Sequence, residues 1–159
     1  MALGTEKTER DIMKRSPILP EKGFFSDGLW IDISLEGMLV GTLTILAFLI
    51  GNFMFGAQSG LPLARTMAFC TLSFCEIIHA VNTRSSLPLY KAGILDNKMM
   101  NFAVAVCFLM QASVVVFQPF AEIFGVIALN FRQWATVAGL SIIPLITGEA
   151  GKMIFSRKK

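Results

Sequence analysis

Four long apolar runs, Leu29–Phe55, Leu63–Val81, Met99–Phe117 and Trp134–Phe155, take up most of this 159-residue chain. A helix needs about 20 mainly apolar residues to cross the hydrocarbon core of a bilayer, and each run meets that length. No stretch long enough for a soluble domain remains between them. A mean hydropathy of +0.63 with only 16% charged residues fits the same class. The expected fold is all-α: an integral membrane four-helix bundle over residues 29–155, preceded by a cytoplasmic arm at 1–28 and followed by a short tail at 156–159.

The first 28 residues hold ten charged side chains and no apolar stretch, so they are not an export signal. Pro17, Pro20 and Gly23 break any helix there, leaving one turn around Asp11–Lys14 in an otherwise solvated arm. Orientation follows from the 14 Lys and Arg residues. Five lie in the arm (Lys7, Arg10, Lys14, Arg15, Lys22), three between spans two and three (Arg84, Lys91, Lys98) and four at the carboxyl end (Lys152, Arg157, Lys158, Lys159). Only Arg65 and Arg132 fall on the opposite side. The positive-inside rule then puts both termini and the middle loop in the cytoplasm, as an even number of spans requires. The net charge of +3 is accounted for by this topology and by contact with membrane lipid, and gives no nucleic-acid signal.

The second run carries a carboxylate, Glu76, near its middle. A charge at that depth costs about 2.5–3.5 kcal/mol even on the lenient insertion scale, so an acid kept there normally faces protein, a water cavity or an ion. Helical spacing puts Ser73, Glu76, His79 and Thr83 on one stripe. Glu76 therefore reads as an oxygen ligand for a cation or as a proton carrier; the structural alternative is a protonated acid bonded to a neighbouring helix. Ser73 and His79 are secondary polar candidates. For His79, the chain's single histidine, an interhelical hydrogen bond is the plainer role.

In the first run Gly37 and Gly41 have the small-xxx-small spacing that lets a second helix backbone approach closely, so a packing partner is expected there. Asp32 and Glu36 are read as a solvated helix start that suits the positive end of the helix dipole. Gln111 is read as an interhelical hydrogen-bonding group, Glu149 and Lys152 as an ion pair one turn apart, Pro144 as a bend and Trp134 as an interfacial anchor. Cys70, Cys75 and Cys107 all fall within runs and are expected to pack as small apolar groups, without disulfide or metal. No metal-ligand cysteine spacing, phosphate loop or nucleophile elbow occurs, so the chain carries no signature of a self-contained enzyme.

Three ordered stretches resemble the carboxyl-terminal membrane region of the P-type cation-transporting ATPases, and most nearly the calcium pumps. Ala2-Leu3-Gly4-Thr5-Glu6 with Asp11-Ile12-Met13-Lys14-Arg15-Ser16-Pro17 is similar to that family's cytoplasmic loop after its sixth span. Ala64-Arg65-Thr66-Met67-Ala68-Phe69, continuing through Glu76 to His79-Ala80-Val81-Asn82-Thr83-Arg84-Ser85, is similar to its eighth span and the loop that follows. Phe131-Arg132-Gln133-Trp134 through Ile143-Pro144 is similar to the beginning of its tenth.

The resemblance implies that the four runs are spans seven to ten of such a pump. It puts Glu76 at the eighth-span position that supplies a carboxylate oxygen to a calcium site, and Gly37 and Gly41 on the face that packs against the long fifth helix. It implies calcium as the transported ion, with ATP and magnesium needed only by the complete pump. The phosphorylation motif, the nucleotide-binding and actuator domains and spans one to six have no counterpart in this chain. The chain is thus expected to be one part of a longer polypeptide and inactive alone. The short link between the first two runs favours a prokaryotic plasma-membrane pump over an animal internal-membrane one. Two readings remain beside this: a standalone small membrane protein with a structural or regulatory role, and a proton-coupled carrier using Glu76 and His79.

Overall fold

The computed structural model describes residues 29–55, 60–83 and 98–156. The expected arm with its turn at 11–14, most of the middle loop and the last three residues lie outside these. Five helices follow in chain order: α1 (Leu29–Phe53), α2 (Gly60–Asn82), α3 (Lys98–Val116), α4 (Gln118–Phe124) and α5 (Phe131–Ser156). No strand occurs among the described residues. The fold class is therefore all-α, as the sequence implies. Four of the helices coincide with the four apolar runs to within about three residues at either end, the usual scatter of helix boundaries.

Within α1, α2 and α3 lie three segments long and apolar enough to cross a membrane: Ile33–Phe53, Gly60–Asn82 and Lys98–Val116. Large side chains of α1 such as Met38, Ile45 and Phe53 are exposed. A helix that is apolar all round belongs in a deep core or in lipid. At 26 residues α5 is the longest helix, about 39 Å at 1.5 Å per residue. It carries Arg132, Gln133, Glu149 and Lys152 along with Pro144.

The most enclosed helix is α2. Leu63, Ala64, Thr66, Met67, Cys70, Thr71, Phe74, Cys75 and Asn82 are all buried along it, with α1, α5 and α3 packed around it. Leu63, Met67, Cys70 and Phe74 share one core with Val115 of α3 and Val137 of α5. Nearer the other end, Cys75 meets Val40 and Leu43 of α1, with Leu140 and Ile143 of α5 against them. Phe74 stacks on Phe108 at 4.7 Å and tilts against Trp134 at 6.0 Å. All three cysteines are free; Cys70 and Cys75 are core atoms as expected, whereas Cys107 is exposed on α3.

Two glycines set the closest helix contacts. A Cβ on Gly51 of α1 would lie 2.8 Å from the Ala64 Cα of α2, and one on Gly148 of α5 would run into the Asn82 carboxamide of α2. Gly37 and Gly41, by contrast, have nothing within 4 Å of where a Cβ would stand. They do not mediate packing among these five helices.

Between the third and fourth apolar runs, residues 118–133, the sequence names no helix, yet α4 lies there. Pro119 stands in its first turn, and Gly125 closes it in the left-handed conformation (φ 63°, ψ 31°). The Gly125 and Val126 N–H groups donate to the Glu122 and Ala121 carbonyls, the paired bonds of a Schellman ending. Five residues later Asn130 and Gln133 cap α5 reciprocally. The Gln133 N–H donates to Asn130 Oδ1 at 3.1 Å, and the Asn130 N–H donates to Gln133 Oε1 at 2.8 Å. Between them the Ile127 N–H donates to Thr66 Oγ1 at 3.0 Å, and that hydroxyl donates to the Pro62 carbonyl at 2.9 Å. A buried threonine of α2 thus fixes the α4–α5 connection.

Candidate functional site

The polar stripe of α2 is real as a helical face, but its members stand in different surroundings. Ser73 and His79 are half-buried, while Glu76 is exposed beside exposed Leu72 and Ala80. Its carboxylate therefore projects away from the core formed by α1, α2, α3 and α5. Among the described residues no hydrogen bond or ion pair reaches it. The depth of Glu76 follows from helix arithmetic: 16 positions separate it from Gly60 and six from Asn82, the two ends of α2.

His79 does not turn to Glu76. Its Nε2 lies 3.4 Å from Oε2 of Glu36 on α1, with both side chains partly exposed. Glu36, read from the sequence as part of a solvated helix start, instead links α1 to α2 through the histidine. The sequence left this neighbour of His79 unnamed because the two residues are 43 positions apart. Thr83, the last member of the stripe, donates its hydroxyl to the His79 carbonyl at 3.0 Å and so closes the end of α2.

The expected pair of Glu149 and Lys152 is present at 3.3 Å. It belongs to a larger arrangement, since Lys152 Nζ also donates to the backbone carbonyl of Asn82 and, at 3.0 Å, to its Oδ1. A cation at the carboxyl end of a helix meets carbonyls that lack an intrahelical donor and the negative end of the helix dipole. Gly148 makes room for the Asn82 side chain in the same place. The end of α2 is thereby clasped to α5, six residues from Glu76. Asn82 was not singled out in the sequence; the available signal was a polar residue at the end of an apolar run.

Gln111 sits on α3 with its Nε2 buried and unpartnered, as is the hydroxyl of Thr71 on α2. The interhelical bond expected of Gln111 is therefore not made from that nitrogen. No group of three or more His, Cys, Asp or Glu side chains among the described residues is placed to hold a metal ion. A calcium ion takes 6–8 oxygens, so Glu76 by itself supplies a corner of such a shell and no more.

Residues 1–154 match the family described as cation transporting ATPase, C-terminus. The chain is 35% identical over 96% of its length to calcium-transporting ATPase 1 of Bacillus cereus, and 34% identical over its whole length to a calcium-transporting ATPase of Bacillus subtilis. It is 32% identical over 97% of its length to calcium-transporting ATPase 1 of Lactococcus lactis. These alignments cover only 19%, 17% and 17% of the respective relatives, so the chain spans less than a fifth of the proteins it matches.

Proposed function

The chain belongs to the family of cation-transporting ATPase carboxyl-terminal regions, and from that membership we propose that it forms the outer part of the membrane domain of an ATP-driven calcium pump. In this reading α1, α2, α3 and α5 all span a prokaryotic plasma membrane, with both ends on the cytoplasmic side. The length of α5, its packing on α2 and the positions of Glu149 and Lys152 towards its end favour its crossing as well. The distribution of Lys and Arg favours the orientation.

Glu76 contributes one carboxylate to the cation path, and the remaining oxygens, the phosphorylated aspartate and the ATP and magnesium sites come from the rest of a longer polypeptide. The observation that carries this is the outward position of Glu76 on a span whose other side is fully packed. An ionised acid facing hydrocarbon is costly, whereas one facing further helices and a cation is satisfied. Gly37 and Gly41, open on α1, offer the rest of the pump a close helix approach.

The test is calcium binding by the complete pump that carries this region. Glu76→Gln and Glu76→Ala remove a charged oxygen ligand and should weaken calcium affinity or lower the number of ions bound. Unchanged affinity and stoichiometry in both variants would return Glu76 to a structural role.

A further inference from the structure

We propose that α4 is a membrane-interface helix: it lies along the bilayer surface at the end of the bundle where α2 begins and α3 ends, with its apolar side among phospholipid headgroups and upper acyl chains. The inference rests on the reading of α3 as a spanning helix and goes beyond it.

Seven residues cannot cross a bilayer. The chain passes from α3 into α4 through Phe117 alone, whose extended backbone (φ −92°, ψ 110°) ends one helix and begins the next. So α4 starts where a lipid-crossing segment stops. At 100° per residue its side chains divide into opposite sides. Gln118 and Glu122 share one side, where the Gln118 carboxamide donates to Glu122 Oε1 at 3.1 Å. Phe120, Ile123 and Phe124 lie opposite, with Phe117 continuing their side, and all four are exposed, Ile123 at 77%. Ala121, between the two sides, is the residue turned into the protein.

This apolar surface is continuous with exposed Val116 at the end of α3, and Phe131, 87% exposed, opens α5 nearby in the chain. Water on one side and hydrocarbon on the other is the environment that such a division fits, and aromatic residues collect at that depth. The backbone is partly prepared for it, because the Schellman bonds satisfy the Ala121 and Glu122 carbonyls at the helix end that water would otherwise serve. Two contacts hold α4 in place: the Phe124 ring lies 6.3 Å from Phe69 of α2, and the Ile127 N–H is bound by Thr66. The helix carries no Lys or Arg, so its attachment comes from apolar burial and is indifferent to anionic lipid.

The experiment places a single tryptophan at Ile123→Trp, or separately at Phe120→Trp, in the full chain bearing Trp30→Phe and Trp134→Phe, reconstituted into phosphatidylcholine vesicles. Leu109→Trp, on the exposed side of α3, is the depth reference. The expected result is loss of acrylamide quenching at 123 and 120, with stronger quenching by lipid brominated near the headgroup than by lipid brominated deep in the chain. Leu109→Trp should show the reverse depth preference. Free access of acrylamide to 123 and 120 with Leu109→Trp still lipid-quenched would overturn the interface placement and leave α3 spanning. Shielding of both from acrylamide and lipid alike would overturn it in favour of a protein partner or a second copy. Absence of lipid quenching at Leu109→Trp would remove the spanning reading, and this inference with it.

Discussion

Gly51→Ala offers a test of the packing in which two effects of similar size oppose each other. In the interior of a helix, alanine is favoured over glycine by about 1 kcal/mol, and on that ground alone the substitution should stabilise α1. The added methyl, however, would stand 2.8 Å from the Ala64 Cα and 3.2 Å from the Met67 sulfur. The sulfur can swing aside, but the Cα is backbone and cannot. To reach ordinary contact, α1 and α2 must separate by about 0.6 Å, a gap that forfeits a quarter or more of each lost contact's attraction. Overpacking of this kind costs about 1–3 kcal/mol, so after the propensity gain the net expectation is destabilisation by up to about 2 kcal/mol. Gly139→Ala is the matched control, since nothing lies within 4 Å of its Cβ position, and it should be neutral or stabilising by up to about 1 kcal/mol. Reversible unfolding in mixed micelles, followed by tryptophan emission with Trp134 packed on Phe74 as the reporter, gives both values on one scale. A Gly51→Ala protein stabilised as much as Gly139→Ala would refute the claim that these two helices touch through backbone.

Lys152→Met removes the donor that serves both oxygens of Asn82 and Glu149 while keeping the length of the side chain. Loss of hydrogen bonds to a charged group costs about 1.5–3 kcal/mol each at most, so the unfolding midpoint should fall clearly and Lys152→Arg should recover part of it; equal stability of all three proteins would show the clasp to be unimportant. Asn130→Ala breaks one half of the cap on α5 and should cost about 1 kcal/mol, with faster amide exchange confined to the first turn of that helix. Exchange unchanged at Gln133 and Trp134 would argue against the reciprocal cap.

What could be read in advance follows from the range of the forces involved. Four runs of apolar residues specify four helices because a helix closes its own backbone hydrogen bonds, and that requirement is local. The resemblance carried by Ala64–Phe69, Glu76 and Phe131–Trp134 was likewise visible in the chain order, and the family match bears it out. α4 was not read from the sequence, although a proline in its first turn and a glycine just past its last residue are helix signals. The same holds for Asn130-x-x-Gln133, a capping signature directly before an apolar run.

The identity of the neighbours was not legible. Glu36 and His79, Thr66 and Ile127, and Asn82 and Lys152 meet across 43, 61 and 70 positions of sequence. Which partner each polar group finds depends on the rotation and depth of whole helices. Small residues decide that in places no periodicity marks: Gly51 brings two backbones together and Gly148 makes room for the Asn82 side chain, while Gly37 and Gly41, with the better-known spacing, stand open. The sequence by itself determined that Glu76 sits within an apolar helix, because hydropathy and length are properties of one segment. Only the tertiary structure decided that it points outward, because the facing of a side chain is set by which other side of α2 the remaining helices cover.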